Sequence, residues 1–150
     1  MIKDISIITA HLIGYAEVEM PYKFPINCHV KYITFLNNEE SFNIWGTGKP
    51  LREFLYVDDL SYAIDFFIRN DIFEGLYNVG SGEEISIFNL VEKIKKIVSY
   101  NGDLSFDSSK PDGNPRKLLN SSKIFELGWK PKFSLDEGLK NTYEWYLKNI

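Results

Sequence analysis

The chain has 150 residues, of which 44% are hydrophobic and 25% are charged, and its formal net charge is -4 at pH 7. This length and composition predict one globular domain with an ordinary core. The acidic balance argues against binding to nucleic acid or to an anionic membrane surface. Cys28 is the only cysteine, which excludes an internal disulfide and a multi-cysteine zinc site. No apolar run approaches the roughly 20 residues that cross a bilayer, so we expect a cytoplasmic protein.

The N-terminal 40 residues predict one strand and one helix. Ile5 to Ala10 is short, apolar and β-branched, which is typical of a buried parallel strand. An irregular, proline-containing stretch follows at 14–27. Asn27 is a suitable N-cap for a helix over roughly 28–38.

The next segment predicts two short strands and a helix. The strands are expected at Phe42–Trp45 and Leu55–Val57. Asp58 or Asp59 is then expected to cap a helix that reaches about Arg69, because carboxylates favour helix N-termini.

A glycine-rich turn separates the following strand from the following helix. We expect the strand at Leu76–Val79, closed by Gly80-Ser81-Gly82, and a helix that begins after Ser86. A glycine turn between a strand and a helix is a weak candidate for a phosphate cradle, because such turns are common in α/β proteins.

The C-terminal third predicts a strand, a loop and two helices. The prolines, glycine and polar residues of 108–115 predict a loop. Ser134 and Glu137 form a capping box, which predicts the start of the last helix. The other expected elements are a strand at Leu104–Phe106 after an Asn101-Gly102 turn, and a short helix that Ser121 or Ser122 caps and Gly128 ends.

Trp45–Asp59, WGTGKPLREFLYVDD, is the first candidate binding segment, because a core segment would not hold so many charges and glycines. Arg52 offers a guanidinium fork for a phosphate or carboxylate, and Trp45 offers a flat ring face. Other interpretations stay open: surface ion pairs of Arg52 with Glu53, Asp58 or Asp59, and a core position for Trp45.

Several catalytic motifs are absent from the sequence. No G-x-G-x-x-G follows the first predicted strand, and no P-loop, HExxH, GxSxG or CxxC pattern occurs. None of the nine tyrosines has a lysine four residues later. We therefore expect no hydride transfer by this chain unaided.

Three segments carry a family resemblance: WGTGKPLREFLYVDDLSYA, YNVGSGEEISIFNL and SKPDGNPRKLLNSSKIFELGWKPKFSLDEGLKNTYEWY. In this order they resemble the C-terminal half of the GDP-L-fucose synthase family, which are extended short-chain dehydrogenases/reductases of the NAD-dependent epimerase/dehydratase type. The first segment is similar to most nucleotide-sugar epimerases and dehydratases. The SKPDG-x-PRKLL and LGW-x-P elements are closer to fucose synthases alone.

The resemblance implies an α/β fold, the C-terminal part of an extended short-chain dehydrogenase. Short parallel or mixed strands alternate with helices, and the N-terminal Rossmann half is lacking. Residues 1–150 would form a single substrate-binding domain, with residues 1–14 as a late strand of the Rossmann sheet.

The resemblance also implies a set of site residues. His29, in Asn27-Cys28-His29-Val30, matches the family's acid/base histidine, whose ordinary pKa of about 6.5 suits proton exchange near neutrality. Cys28 does not match the catalytic cysteine that acts opposite that histidine. The implied substrate-binding residues are Val30, Trp45, Arg52, Asp112 and Lys117, and the implied cofactor-binding residues are His11 and Leu12.

The chain departs from the family pattern at two positions. Asn37 replaces a basic residue eight positions after His29, and His11 replaces an asparagine that touches the ligands. Other interpretations remain for the matched residues: a structural histidine at 29, a packed His11, a turn residue at Asp112 and a solvated loop cluster of Lys110, Arg116 and Lys117.

The implied activity is NADPH-dependent 3,5-epimerisation and 4-reduction of GDP-4-keto-6-deoxymannose. We expect this chain alone to bind no NADP(H) and no metal, and to bind a GDP-sugar weakly or not at all. A homodimer or a separately encoded Rossmann half are the expected partners. The alternatives are a stand-alone binding or assembly module, or part of another nucleotide-sugar epimerase or dehydratase.

Overall fold

A computed structural model describes residues 41–149. Several predictions lie outside this part of the chain and stay predictions: the strand at 5–10, the helix over 28–38, and the sites at His11, Leu12, His29 and Val30. Within 41–149 the chain alternates short strands with helices, so the predicted α/β class is confirmed.

Five strands and four helices make up the described part. The strands are β1 (Ser41–Trp45), β2 (Leu51–Glu53), β3 (Glu84–Ser86), β4 (Asp103–Asp107) and β5 (Arg116–Lys117). The helices are α1 (Val57–Arg69), α2 (Ile87–Ile97), α3 (Ser122–Glu126) and α4 (Leu135–Asn149). None of these helices is long and apolar enough to cross a membrane.

The strands form two small sheets. In the first, β1 and β4 pair in parallel, so that Trp45 lies opposite Asp107. In the second, β2 is the central strand between β3 and β5. It pairs antiparallel with β3 and parallel with β5, and the parallel pairing places Arg52 opposite Lys117. The predicted mixture of parallel and antiparallel strands is therefore present.

Two predicted strands are wrong, although both segments are partly buried as their apolar residues indicated. The strand expected at Leu55–Val57 lies earlier, at Leu51–Glu53, and Leu55 instead packs in the core. Leu76–Val79 forms no strand; the strand lies after the glycine turn, at Glu84–Ser86. Leu55, Tyr77 and Val79 pack in or against the core, whereas Val57 and Leu76 are exposed. In both cases the backbone of a neighbouring segment forms the hydrogen bonds of the sheet.

Two of the four helix starts predicted within residues 41–149 have the expected side-chain cap. At a third, Ser121 occupies the N-cap position of α3, but its side chain makes no capping hydrogen bond. The Ser86 hydroxyl accepts a hydrogen bond from the backbone N–H of Asn89 (3.2 Å), as expected of an N-cap. The capping box of Ser134 and Glu137 is also formed, because each side chain accepts from the other's backbone N–H. The cap predicted at Asp58 or Asp59 is wrong, because Tyr56 occupies the N-cap position and both carboxylates lie in the first turn of α1.

The core of the described part consists of two clusters. The larger one joins α1 to α3, with Ala63 and Ile124 fully buried beside Leu55 and Trp129. The smaller one surrounds Val98 and Tyr100 and adds, as partly buried members, Phe42, Ile94, Leu104 and Tyr143. Leu55 of the larger cluster lies two residues after β2, so the sheet of β3, β2 and β5 adjoins this core in the chain.

Candidate functional site

Arg52 and Lys117 lie side by side on the sheet of β3, β2 and β5. They are directly opposite one another in the parallel pairing of β2 with β5, so their side chains leave the same face of the sheet. Like charges directly opposite on neighbouring strands repel one another, and an anion bound between them would reduce this repulsion. This pairing is the feature of the described part that most favours an anion site.

Arg52 is half-buried as a residue, and its guanidinium makes no ion pair within residues 41–149. Its Nη1 donates to the backbone carbonyl of Leu51 (2.7 Å), and its Nη2 lies close to Gly113. The alternative ion pairs with Glu53 and Asp59 are not formed. Both of those carboxylates are buried and accept hydrogen bonds from backbone N–H groups elsewhere. Arg52 therefore keeps hydrogen-bond donors available for a ligand.

Asp112 joins the 108–115 loop to the glycine turn after β1. Its Oδ1 accepts from the backbone N–H of Thr47 (2.5 Å), and its Oδ2 accepts from the Thr47 hydroxyl (2.7 Å). The hydrogen bond from the Thr47 hydroxyl is the largest cause that holds the pKa of Asp112 below its ordinary value, and the bond from the Thr47 N–H is the second. The nearby positive charges of Lys49 and Arg52 also lower this pKa. The geometry favours the turn interpretation of Asp112, and its contact with a substrate stays a prediction.

Gly46 makes this approach of Asp112 possible. The glycine has a φ of 89°, in the left-handed region, and a Cβ at this position would overlap the Asp112 carboxylate. Gly46 of the WGTG motif thus allows the loop of Asp112 to lie against the end of β1.

Trp45 lies at the exposed end of β1, at the rim of this arrangement. Its side chain is 72% exposed, so the alternative that it packs in the core is wrong. The ammonium group of Lys110 lies 5.5 Å from the centre of the Trp45 ring, within cation–π range. The ring is open to solvent for a flat ligand, and its role in binding stays a prediction.

The guanidinium of Arg116, next to Lys117 in β5, is paired with a carboxylate of the chain. Its Nε and Nη2 donate to the two oxygens of Glu84 at 2.7 and 2.6 Å. These hydrogen bonds lower the pKa of Glu84. The predicted loop cluster of Lys110, Arg116 and Lys117 is therefore not a uniform group of solvated cations.

The turn Gly80-Ser81-Gly82 already binds a carboxylate of the chain itself. The backbone N–H of Gly82 donates to Glu53 Oε1 (2.7 Å), and the Glu53 carboxylate fills the space where a Cβ of Gly80 would lie. The turn also precedes a strand and not a helix. It is therefore unsuited to cradle a phosphate, and the weak prediction of such a cradle finds no support.

Sequence reasoning missed Glu53 and Thr47. Side chains alternate between the two faces of a strand, so Arg52 on the open face of β2 places Glu53 on the inner one. That alternation was the available signal for Glu53. Thr47 carried no signal, because its partner Asp112 is 65 residues away in the sequence.

The described structure thus brings together Arg52, Lys117 and Asp112, with Trp45 next to Gly46 at the rim. An open groove lies along the segment that contains Lys117 and is lined by Arg116, Leu118, Leu119 and Asn120. No cluster of metal-ligating side chains occurs among residues 41–149.

Known proteins share both the sequence and the fold. A model of the NAD dependent epimerase/dehydratase family matches residues 4–80, more than half of the chain. This chain belongs to that family. The resemblance seen in its motifs is therefore confirmed.

The relatives include several fucose synthases. Probable GDP-L-fucose synthase 1 of Oryza sativa subsp. japonica is 57% identical over 109 residues, which are 71% of this chain and 33% of that protein. GDP-L-fucose synthase of Escherichia coli (strain K12) is 42% identical over 115 residues, 71% of this chain and 36% of that protein. The chain thus spans much less than half the length of these relatives.

A solved structure shows the same similarity in three dimensions. The GDP-L-fucose synthetase of Naegleria fowleri bound to NADP superposes with a TM-score of 0.71 at 28% identity, and the match covers 81% of this chain and 39% of that one. The fold is that of part of an extended short-chain dehydrogenase, as the motifs implied.

Proposed function

We propose that this chain forms the GDP-sugar-binding wall of a GDP-L-fucose synthase-type epimerase/reductase. Arg52 and Lys117 bind the diphosphate, and Trp45 lines the nucleotide side. The observation that carries the proposal is the register of β2 with β5, which places the two cations next to one another on one face. The similarity to fucose synthases supports the choice of a GDP-sugar.

A diphosphate suits this pair of cations better than a monophosphate does. Arg52 presents a planar fork that fits two phosphate oxygens, and Lys117 presents a compact charge beside it. Two adjacent phosphoryl groups can each meet one cation. Selectivity for GDP over GMP is therefore the property that depends most directly on the register of these two strands.

The chemical steps involve residues beyond this wall. We propose His29 as the acid/base group of epimerisation, on its match to the family motif. Residues 41–149 supply no suitable dinucleotide cradle at the 80–82 turn, since Glu53 fills it. We therefore propose that NADP(H) binds to a part of the enzyme other than this wall, and that this chain alone does not oxidise NADPH.

Calorimetric titration of the chain with GDP and GMP tests the binding site. We expect Arg52→Ala to weaken GDP binding about tenfold or more, because hydrogen bonds to charged groups contribute about 1.5–3 kcal/mol. The matched control is Arg69→Ala, which removes an exposed arginine that pairs with Asp65 on α1. Equal GDP affinity in the Arg52 variant and the wild type would contradict the proposal.

Thermal shifts with GDP-, UDP- and dTDP-sugars separate a fucose synthase from other nucleotide-sugar enzymes, because a bound ligand raises apparent stability. We expect the largest shift with the GDP-sugar. Incubation with NADPH and the GDP-linked keto-sugar should leave NADPH unoxidised. Measurable turnover would contradict the assignment of the cofactor to another part of the enzyme.

A further inference from the structure

Glu53 is a buried carboxylate in the central strand, one residue from Arg52. It is 6% exposed, and its two oxygens accept hydrogen bonds from backbone N–H groups of two different loops. Oε1 accepts from Gly82 (2.7 Å) and Oε2 accepts from Leu119 (2.9 Å). Both bonds join segments that are distant in sequence, and both involve a charged acceptor, which makes them stronger than bonds between neutral groups.

These two hydrogen bonds tie the central strand to both of its neighbours. Gly82 lies two residues before β3, and Leu119 lies two residues after Lys117 in β5. The backbone pairing of β2 with β5 comprises only two residue pairs and ends at Arg52 and Lys117. Beyond that point the Glu53 side chain supplies the next connection between the two segments.

We propose that Glu53 is the positioning residue of the anion site and sets the spacing between Arg52 and Lys117. The carboxylate holds the chain after Lys117 from the inner face of the sheet, while the two cations project from the open face. The inference rests on the proposed function, because its readout is diphosphate binding. Glu53 itself does not touch the ligand.

Gly80 offers a second way to disturb this carboxylate without removing its charge. A Cβ at Gly80 would overlap the Glu53 carboxyl group. The backbone of Gly80 is not in the left-handed region, so alanine introduces no backbone strain there. Gly80→Ala should therefore displace the carboxylate, whereas Glu53→Gln keeps its size and loses one of its two acceptors.

The matched control is Asp59. It is also fully buried and also accepts two backbone N–H bonds, from Lys132 (2.8 Å) and Phe133 (3.2 Å), but these lie before α4 and not beside the cations. Asp59→Asn should destabilise the fold as Glu53→Gln does. A purely structural role for Glu53 would give the two variants the same ligand affinities.

The experiment measures the dissociation constants of GDP, GMP and inorganic pyrophosphate by calorimetry, at a temperature where circular dichroism shows each variant folded. In Glu53→Gln and Gly80→Ala we expect GDP and pyrophosphate to bind about 10- to 100-fold more weakly, because a misplacement of about 1 Å can change function by a factor of about 100. GMP binding should change less. Asp59→Asn should keep the wild-type selectivity for GDP over GMP.

Acetate provides a rescue test that a general loss of stability would not pass. Glu53→Ala removes the atoms of one acetate ion and leaves a cavity of that shape before the two N–H donors. Sodium acetate should restore selectivity for GDP over GMP in Glu53→Ala, relative to sodium chloride at the same ionic strength. It should have no such effect on Glu53→Gln, whose side chain fills the space.

The outcomes separate this inference from the proposed function. A wild-type chain that does not bind GDP, which is one of the two outcomes expected from the sequence, would overturn both. Wild-type binding of GDP with unchanged selectivity in Glu53→Gln and Gly80→Ala would overturn the role of Glu53 alone. If neither variant folds while Asp59→Asn does, and acetate leaves Glu53→Ala unchanged, Glu53 serves stability only and the inference is wrong.

Discussion

Two buried carboxylates hold different regions of this protein by the same chemistry. Glu53 and Asp59 each accept two backbone N–H bonds from segments distant in sequence. Glu53 lies in the sheet that carries the two adjacent cations. Asp59 lies in the first turn of α1, where the helix N-terminus favours a negative charge, and it holds the segment before α4. The difference shows that an interior carboxylate can secure either a binding face or a helix junction, depending on which segments it joins.

The largest expected effect is the loss of stability when the buried carboxylate of Asp59 is removed. Asp59→Ala leaves two buried donors without acceptors. We expect a loss of about 2–6 kcal/mol in the free energy of unfolding, since each unsatisfied donor costs about 1–3 kcal/mol. Urea denaturation measures this loss. The folded fraction should bind GDP with wild-type affinity, and a changed affinity would remove the contrast with Glu53.

A substitution on the open face of β2 should lower GDP affinity and leave stability nearly unchanged, the reverse of the result expected for Asp59. Arg52→Lys retains the charge but loses the planar fork, so we expect GDP affinity to fall about tenfold with little change in stability. Arg52 is half-buried and makes no ion pair within residues 41–149, so its folding contribution is small. Titration and urea denaturation of the same preparation measure both quantities. A large loss of stability would show that this face also supports the fold.

A smaller effect on stability is expected for Asp112, whose carboxylate is exposed, unlike those of Glu53 and Asp59. Its pKa is lowered in the folded chain, so the stability it contributes is present above its ordinary pKa and is lost as the pH falls through the lowered value. Asp112→Asn should therefore lower the melting temperature at pH 7 and reduce the further decrease on acidification. Melting curves of both proteins at pH 7 and pH 3 test this. Parallel pH profiles would contradict it.

The smallest effect is expected where an ion pair is exposed and local. Arg69 and Asp65 pair at 2.7 Å on the surface of α1, with side chains that are 76% and 51% exposed. Surface pairs of this kind contribute little to stability because water and salt screen them. Arg69→Ala should leave both the melting temperature and GDP affinity unchanged within error. A clear loss of either would show that α1 takes part in the site.

Much of the fold could be predicted because its signals are local. The caps at Ser86 and Ser134 involve partners three residues away, so the sequence displays both members of each hydrogen bond. The strands at 55–57 and 76–79 were placed wrongly because a run of apolar residues does not show which backbone segments pair with one another. The cap at Asp58 or Asp59 was wrong because Asp59 finds its donors 73 and 74 residues later, beyond any local pattern.

In the candidate site, too, local motifs could be read from the sequence, whereas contacts between distant segments could not. Sequence motifs predicted Arg52, Lys117, Asp112 and Trp45 as site residues through the family resemblance. The family model, which matches residues 4–80, confirms the family, and the roles of these residues stay predictions. The motifs did not show that Trp45 is exposed, that Asp112 binds Thr47, or that Arg116 pairs with Glu84. Each of these facts depends on a contact between segments that fold back on one another.

The sequence by itself determined the family, the α/β class and the helix starts at Ser86 and Ser134, because motifs and caps are written in neighbouring residues. Only the tertiary structure decided which charged groups lie next to one another and which carboxylates are buried. Arg52 and Lys117 became neighbours through strand pairing, and Glu53 became an internal anion through donors 29 and 66 residues away. The physical reason is that a charge is satisfied by whatever the fold brings within hydrogen-bond distance, and that distance is unrelated to separation along the chain.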